Sequence, residues 1–144
     1  ITLVTGEVIH RHPDTVIVVT TNNNYAGCRD MNQSVISRMN LIIDMEDPDT
    51  DILAERAMKV TGCSDKTIVT DMAETLRDIN ERCRETMVSD GSCGVRELIS
   101  WVQSYMVCGS ILDSAKYTVL SSVSSDPDNR ADILSSCLEQ KYAA

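Results

Sequence analysis

Apolar positions follow two different patterns along these 144 residues, and the pattern changes near residues 46–49. Before that point, apolar residues form short continuous runs at 16–19 and 41–43. Runs of this kind are typical of strands that a parallel sheet buries on both faces. After it, apolar residues recur every three or four positions, the spacing of amphipathic helices. The pattern predicts a partial α/β core, the end of a parallel sheet, over residues 1–47 and an all-α subdomain over 48–144. The chain is then expected to be mostly helical.

Proline, glycine and capping residues set the expected boundaries of the elements. Gly62 and Gly109 suit the left-handed position that ends a helix, and Pro127 suits a first helical turn. The expected elements are strands at 16–21 and 41–45, a short helix at 31–39, helices at 48–61, 71–87, 95–107 and 111–123, and a last helix after Asp126.

Charge and composition narrow the class of function. The net charge is −9 and lysine and arginine never form a run, whereas nucleic-acid binding requires a basic surface. No apolar stretch approaches the ~20 residues that cross a bilayer, and no signal-peptide pattern is present. We therefore expect a cytoplasmic protein without a nucleic-acid or membrane partner. The six cysteines form no C-x-x-C pair, which leaves a disulfide framework or structural zinc site as a minor alternative.

Four polar residues end the first expected strand, namely Thr21, Asn22, Asn23 and Asn24. Ligands of open α/β sheets usually lie at the carboxyl ends of the strands. Amide and hydroxyl groups at that position can orient a water or a phosphate oxygen without adding charge. Asparagine is also favoured in turns, so the residues alone leave a binding role and a turn equally open.

The order of the motifs that follow resembles AAA+ ATPases of the MoxR and dynein-related branch. Residues 25–27 read Tyr-Ala-Gly, and residues 37–39, at the end of the short helix, read Ser-Arg-Met. The resemblance implies that Asn22 is the sensor 1 residue that positions the attacking water, with Asn23 as the alternative. It implies that Arg38 is an arginine finger that reaches the γ-phosphate of a neighbouring subunit. Such fingers accelerate hydrolysis on the order of a thousandfold or more.

The resemblance extends into the helical half, which corresponds to the family's lid. Residues 94–98 read Gly-Val-Arg-Glu-Leu and match the start of a lid helix. Arg96 is then the sensor 2 arginine, which contacts the nucleotide of its own subunit. The alternative is a solvated arginine paired with Glu97 or Asp90. The family often has Asn-Pro where Asn23 and Asn24 stand, and phenylalanine where Met39 stands.

The segments that cradle a nucleotide are missing from these 144 residues. No G-x-x-x-x-G-K-[ST] occurs, and no apolar strand ends in the Asp-Glu pair that holds Mg²⁺. The chain alone is therefore not expected to bind ATP tightly or to hydrolyse it. It begins without methionine in the middle of a pattern, as an excised fragment would.

By the resemblance, the parent protein binds ATP and Mg²⁺ and assembles into a ring, expected to be a hexamer. Its ATP hydrolysis would remodel a protein partner that the sequence does not identify. The alternative is a non-enzymatic interaction module, or scaffold, built on an ATPase-like half. Because the expected strands lack neighbours, we also expect self-association of this chain.

Other candidates are weaker. His10 and His12 would face the same way on a strand and could share a metal, but no third ligand is evident. Cys28 could act as a nucleophile with a nearby histidine, although nothing in the sequence marks it as activated. The acidic residues 46–51 are better explained as a turn and helix caps than as a metal cluster.

Overall fold

The computed structural model describes residues 2–21, 32–88 and 93–143, and the described chain is mostly helical. It divides into two compact units, Ile1–Asp30 and Met31–Ala144. Almost all regular structure described lies in the second unit. The predicted boundary between residues 47 and 48 stays a prediction.

The first unit contains a single antiparallel bridge within residues 2–21, between Thr2 and Val8. The Leu3 N–H donates to Glu7 O at 2.8 Å, and the tight turn between them uses Gly6 at φ 85°. A left-handed φ of this size is readily adopted only by glycine. Residues 2–8 therefore form a short hairpin-like turn with one bridge, and no regular strand continues from it.

The strand expected at residues 16–21 is not formed. The backbone there is irregular in the described part of the unit, and Val16 and Val18 are 83% and 80% exposed. An apolar β-branched run indicates that its side chains favour burial, but a strand also needs neighbours for its backbone hydrogen bonds. No segment among residues 2–15 supplies them.

The second expected strand, residues 41–45, is irregular as well. Leu41 is 75% and Met45 88% exposed, and no described residue pairs with this backbone. The α/β partial core predicted for residues 1–47 is therefore not shown in the described parts of the chain. What the prediction has right is the helical character of the remainder.

The second unit contains, in chain order, α1 (Gln33–Ile36), α2 (Thr50–Thr61), α3 (Lys66–Glu85), α4 (Val95–Cys108), α5 (Ile111–Tyr117), α6 (Val119–Val123), α7 (Pro127–Ile133), a π-helical segment (Leu134–Glu139) and α8 (Gln140–Tyr142). The predicted ends of α2 and α4 are confirmed: Gly62 and Gly109 follow them at φ 76° and 75°. Pro127 begins α7, also as predicted.

Two boundaries differ from the prediction. Helix α3 begins at Lys66 and not near residue 71, since Asp65 caps it by accepting from the Ile68 N–H at 3.1 Å. The helix expected over 111–123 is broken at Thr118, whose ψ of −73° interrupts the helical path. The Thr118 hydroxyl donates to Ser114 O at 2.6 Å.

The core of the second unit lies between α2, α3 and α4, with the later helices closing it. Its largest fully buried side chains include Trp101, Met72, Leu76, Ile79 and Leu98. The Trp101 indole donates to Ile111 O at 2.9 Å, so its buried polar atom is satisfied. Packing of this kind, with aliphatic and sulfur side chains around one tryptophan, compensates for the absence of phenylalanine from the sequence.

The C-terminal helices are tied to α3 by polar contacts. Lys141 Nζ lies 2.7 Å from Asp71 Oδ1 and donates to Thr75 Oγ1 at 2.9 Å. The Tyr142 hydroxyl joins the same group by hydrogen bonds to Asp71 and Thr75. Its ring meets Trp101 edge to face, with centroids 6.2 Å apart. These contacts fix α8 against the middle of the core.

Candidate functional site

The start of helix α4 is held in place by one side chain of α3. The half-buried Asn80 donates from Nδ2 to Cys93 O at 2.7 Å, and its Oδ1 accepts from the Cys93 N–H at 2.8 Å. The amide thus pairs with both backbone groups of Cys93, as a neighbouring strand would. Cys93 itself is only 3% exposed, so the two bonds lie mostly away from water. This pairing fixes where the chain begins α4.

The first turn of α4 is then set by a local cap. Gly94 has an extended backbone, and its N–H donates to Glu97 Oε2 at 2.8 Å, the backward half of a capping box. Further along, Leu98, Trp101 and Val102 anchor one face of the helix in the core. The orientation of the first turn is therefore fixed by the Glu97 cap at its start and by the buried face that follows it.

Arg96 stands in this well-fixed turn with an exposed side chain. Within the described residues its guanidinium has no hydrogen bond and no ion pair. The predicted alternative, a pair with Glu97, is not formed among the described residues; the Glu97 carboxylate accepts from the Gly94 N–H instead. Asp90, the other predicted alternative, lies outside the described residues. The N-terminus of a helix carries a partial positive charge, which does not stabilise an arginine there. The arginine and the helix N-terminus both attract an anion.

Arg38 lies directly after α1, on an exposed turn of the same unit. Helix α1 begins where Asn32 Oδ1 accepts from the Ser34 N–H at 2.8 Å. The Arg38 guanidinium folds back over this helix and donates through Nη1 to Ser34 O. A single exposed hydrogen bond of this kind contributes on the order of 1 kcal/mol. The side chain can therefore be redirected at low cost.

The structure does not join the two arginines in one hydrogen-bond or ion-pair network within residues 32–88 and 93–143. Asn22, predicted as sensor 1, lies outside the described residues, as do Asn23, Asn24, the Tyr-Ala-Gly loop and Cys28. Their predicted roles stay predictions.

The histidine alternative has a simple local geometry. The Asp14 N–H donates to His12 Nδ1 at 3.3 Å. The Asp14 carboxylate lies 3.6 Å from the same atom, and both side chains are exposed. Across the described ranges, no three histidine, cysteine or acidic side chains come together as metal ligands.

The cysteines of the described part are free thiols, and Cys63, Cys83 and Cys93 are buried. Burial raises the pKa of the Cys93 thiol, with the Glu97 carboxylate adding to the effect. A thiol with a raised pKa is a poor nucleophile. Cys93 therefore serves the packing and the backbone bonds to Asn80, not chemistry.

A surface ion pair joins α3 to α7. Arg82 donates from Nε and Nη2 to the two carboxylate oxygens of Asp132, each at 3.0 Å. The bidentate hydrogen bonds lower the pKa of Asp132 and raise that of Arg82. Both side chains are partly exposed, so the pair contributes little to stability and mainly orients α7.

Sequence reasoning missed Asn80, the residue that positions Arg96. An asparagine within a helical pattern carries no signal of its own, and its partner Cys93 is thirteen residues away along the chain. Only the tertiary packing of α3 against α4 brings them together. The buried position of Ile79 next to it was visible as part of the apolar periodicity.

None of the helices in the described residues is long and apolar enough to cross a membrane. No protein-family model matches the chain, and no curated protein or solved structure matches it either.

Proposed function

We propose that this chain is the C-terminal portion of an AAA+ ATPase module and supplies sensor and arginine-finger residues. Asn22 positions the attacking water, Arg38 acts on the γ-phosphate of a neighbouring subunit, and Arg96 contacts the nucleotide of its own subunit. Other segments of the parent protein bind ATP and Mg²⁺. The parent couples hydrolysis to the remodelling of a protein partner within a ring, for which we propose six subunits.

The observation that supports this proposal best is the placement of Arg96. Its backbone is fixed by Asn80 through Cys93 and by the Glu97 cap, yet its guanidinium is exposed and has no partner among the described residues. An arginine with a fixed backbone and an uncommitted side chain is suited to sense an anion and to report its presence to the helices behind it. In an AAA+ lid this is the task of sensor 2.

Arg38 supports the proposal in a second way. It is exposed at the end of a short helix, and among the described residues its guanidinium has one hydrogen bond, to a carbonyl of that helix. An arginine finger must leave its own subunit's surface to stabilise charge on a phosphate in another subunit. The energetic cost of releasing the Ser34 carbonyl is small beside that stabilisation.

The exposed runs at 16–19 and 41–43 fit the α/β part of the proposal. Val16, Val18, Leu41 and Ile43 are each at least 67% exposed. Side chains of this type are seldom left in water in such a continuous series. In the proposed module each run becomes a strand of a parallel sheet once the remaining strands are present, which buries both faces.

The proposal is tested on the protein encoded by the full reading frame, by measuring ATP hydrolysis and nucleotide affinity separately. Arg38→Ala should lower kcat by on the order of a thousandfold while ATP affinity is retained. Arg96→Ala should weaken nucleotide affinity as well as turnover. Arg77→Ala is the matched control, because Arg77 is exposed on α3 and makes only long surface ion pairs of 3.9 Å.

A mixing experiment separates the finger from an ordinary catalytic residue. Subunits with Arg38→Ala are mixed with subunits whose phosphate-binding lysine is replaced. Because a finger acts across the interface, the mixture should recover part of the activity that each variant alone lacks. A reading frame without any phosphate-binding loop, or a full-length protein without nucleotide affinity, would overturn the proposal in favour of the non-enzymatic scaffold.

A further inference from the structure

Residues 38–46, which we call the 38–46 segment, form a largely exposed stretch. Its backbone is hydrogen-bonded only at its start, from the Arg38 N–H to Val35 O and from the Met39 N–H to Ile36 O. Leu41, Ile42, Ile43 and Met45 are 75%, 62%, 67% and 88% exposed. From residue 40 onward, its N–H and C=O groups make no hydrogen bond within the described residues. An apolar segment with an unpaired backbone is a template for pairing with another strand.

The order of residues in this segment is self-complementary. Reversing it about Ile42 places each residue opposite one of matching chemistry. The pairs are Arg38 with Glu46, Met39 with Met45, Asn40 with Asp44, Leu41 with Ile43, and Ile42 with itself. In an antiparallel pair of identical strands, every one of the first four pairs occurs twice. Directly opposite residues of opposite charge, or of apolar type, stabilise antiparallel strands.

Other arrangements are less favourable. A parallel pair in register places Arg38 opposite Arg38 and Glu46 opposite Glu46, and like charges directly opposite are destabilising. Moving the centre of the antiparallel pair from Ile42 to Ile43 brings Asp44 opposite Ile42. The order of charges therefore selects both the antiparallel direction and the register.

The alternation of side chains agrees with this register. On an extended strand the odd-numbered residues, Met39, Leu41, Ile43 and Met45, share one face, and the even-numbered residues share the other. The two paired strands therefore have one apolar face. On the other face, the pairs Arg38–Glu46 and Asn40–Asp44 lie on either side of Ile42. A one-residue slip would move the apolar set to the wrong face and is excluded by the same pattern.

We propose that the 38–46 segment is a docking strand whose occupant is the same segment of a second copy of this chain, paired antiparallel about Ile42. The contact is two-fold symmetric, in which the same patch serves both copies. It differs from the head-to-tail contact through which a finger reaches a neighbour's nucleotide. The inference concerns the 144-residue chain by itself and does not rest on the proposed ATPase function. In the proposed ATPase module, residues 41–43 are instead buried in a sheet.

The charge pair gives the first test, in which sedimentation equilibrium of the 144-residue chain measures the dimer Kd. Arg38→Glu and Glu46→Arg should each weaken the dimer about tenfold, because each places two like-charged pairs across the contact. The double variant Arg38→Glu/Glu46→Arg restores opposite charges and should return Kd to within about threefold of the original value. Glu55→Arg is the control, since it changes the net charge by the same amount as Glu46→Arg from an exposed position on α2.

Net charge alone predicts a different result. The chain carries −9, so Glu46→Arg reduces overall repulsion between copies and would strengthen association if only net charge mattered. Weakening by Glu46→Arg but not by Glu55→Arg supports the strand contact. A double variant no better than the single variants, or an original chain that stays monomeric at several hundred micromolar, overturns it.

A cross-linking test reads the register directly. In a background with Cys28→Ser and Cys108→Ser, Ile42→Cys places two thiols opposite each other, while Ile43→Cys places each thiol opposite Leu41. Glutathione disulfide oxidises the two opposed thiols to one disulfide and is itself reduced to two glutathione thiols. Ile42→Cys should yield a covalent dimer. Ile43→Cys should not, because the two thiols are then diagonal, at about 7–8 Å between strands. Equal cross-linking of both variants, or of neither, overturns the register.

Discussion

Replacing Asn80 by alanine removes both hydrogen bonds that hold the backbone of Cys93. The substitution leaves the Cys93 N–H and C=O without the partners they have at 2.8 and 2.7 Å. Because Cys93 is 3% exposed, water reaches these groups poorly. The start of α4 should then be less stable than in the original chain.

The size of the effect follows from the number of groups left unpaired. A buried backbone group without a partner costs about 1–3 kcal/mol. Two such groups, beside a side chain that is only half-buried, give an expected loss of about 2–4 kcal/mol in the free energy of unfolding. Alanine has a higher helix propensity than asparagine, which offsets roughly 0.5 kcal/mol of this loss. The control substitution gains a similar amount.

The assay is urea unfolding followed by tryptophan fluorescence. Trp101 is the single tryptophan of the chain and is fully buried in α4, so its emission reports on the helix that Asn80 positions. Asn129→Ala is the matched control, because Asn129 is also half-buried in a helix but its side chain makes no hydrogen bond among the described residues.

A loss no larger than that of the control would refute the reasoning that Asn80 holds the start of α4. Asn80→Asp refines the test, because the carboxylate still accepts from the Cys93 N–H but no longer donates to Cys93 O. At neutral pH the aspartate variant should lose at least as much as the alanine variant, because its second carboxylate oxygen faces the Cys93 carbonyl oxygen. It should recover part of it in acid, where the protonated carboxyl can donate again.

Two further predictions concern buried groups of the same unit. Burial raises the pKa of the Cys93 thiol, so its contribution to stability is complete below its ordinary value of 9.0 and is lost as the pH rises above it. The free energy of unfolding should fall by up to about 1.4 kcal/mol per pH unit there, and Cys93→Ala should give a shallower slope in alkaline urea titrations. An unchanged slope would contradict the burial argument. Tyr142→Phe removes the hydroxyl bonds to Asp71 and Thr75 but keeps the ring against Trp101, and should cost about 1–2 kcal/mol in the same assay. Tyr117→Phe, at an 80% exposed tyrosine, should cost nothing measurable.

The ends of the helices were predictable where a backbone requirement selects a residue type. Gly62 and Gly109 occupy left-handed positions that other residues adopt at a cost, and Pro127 has the fixed φ of a first turn. The early start of α3 depends on a capping hydrogen bond that many serine, threonine and aspartate residues could form equally well, and no residue type marks the break at Thr118. A single sequence does not distinguish the ones that are used.

The two predicted strands fail to form in the described residues for a different reason. The runs at 16–19 and 41–43 carry the composition of buried strands, but a strand requires a ladder partner, and composition does not say whether one is available. For the candidate site, the sequence marked Arg38 and Arg96 only through resemblance. Asn80 was invisible because its role depends on Cys93, which lies near it only after α3 and α4 pack.

The contacts of Lys141 and Tyr142 with α3 also constrain the order in which the chain can fold during synthesis. Lys141 is made seventy residues after its partner Asp71. Helices α2, α3 and α4 are close in sequence and can pack as soon as they leave the ribosome, because closing short loops costs little entropy. Until Lys141 and Tyr142 have been synthesised, water must solvate the Asp71 and Thr75 side chains. The edge of Trp101 that Tyr142 covers is then exposed to solvent. The helical unit is therefore expected to emerge as a partly closed intermediate that the α8 residues complete.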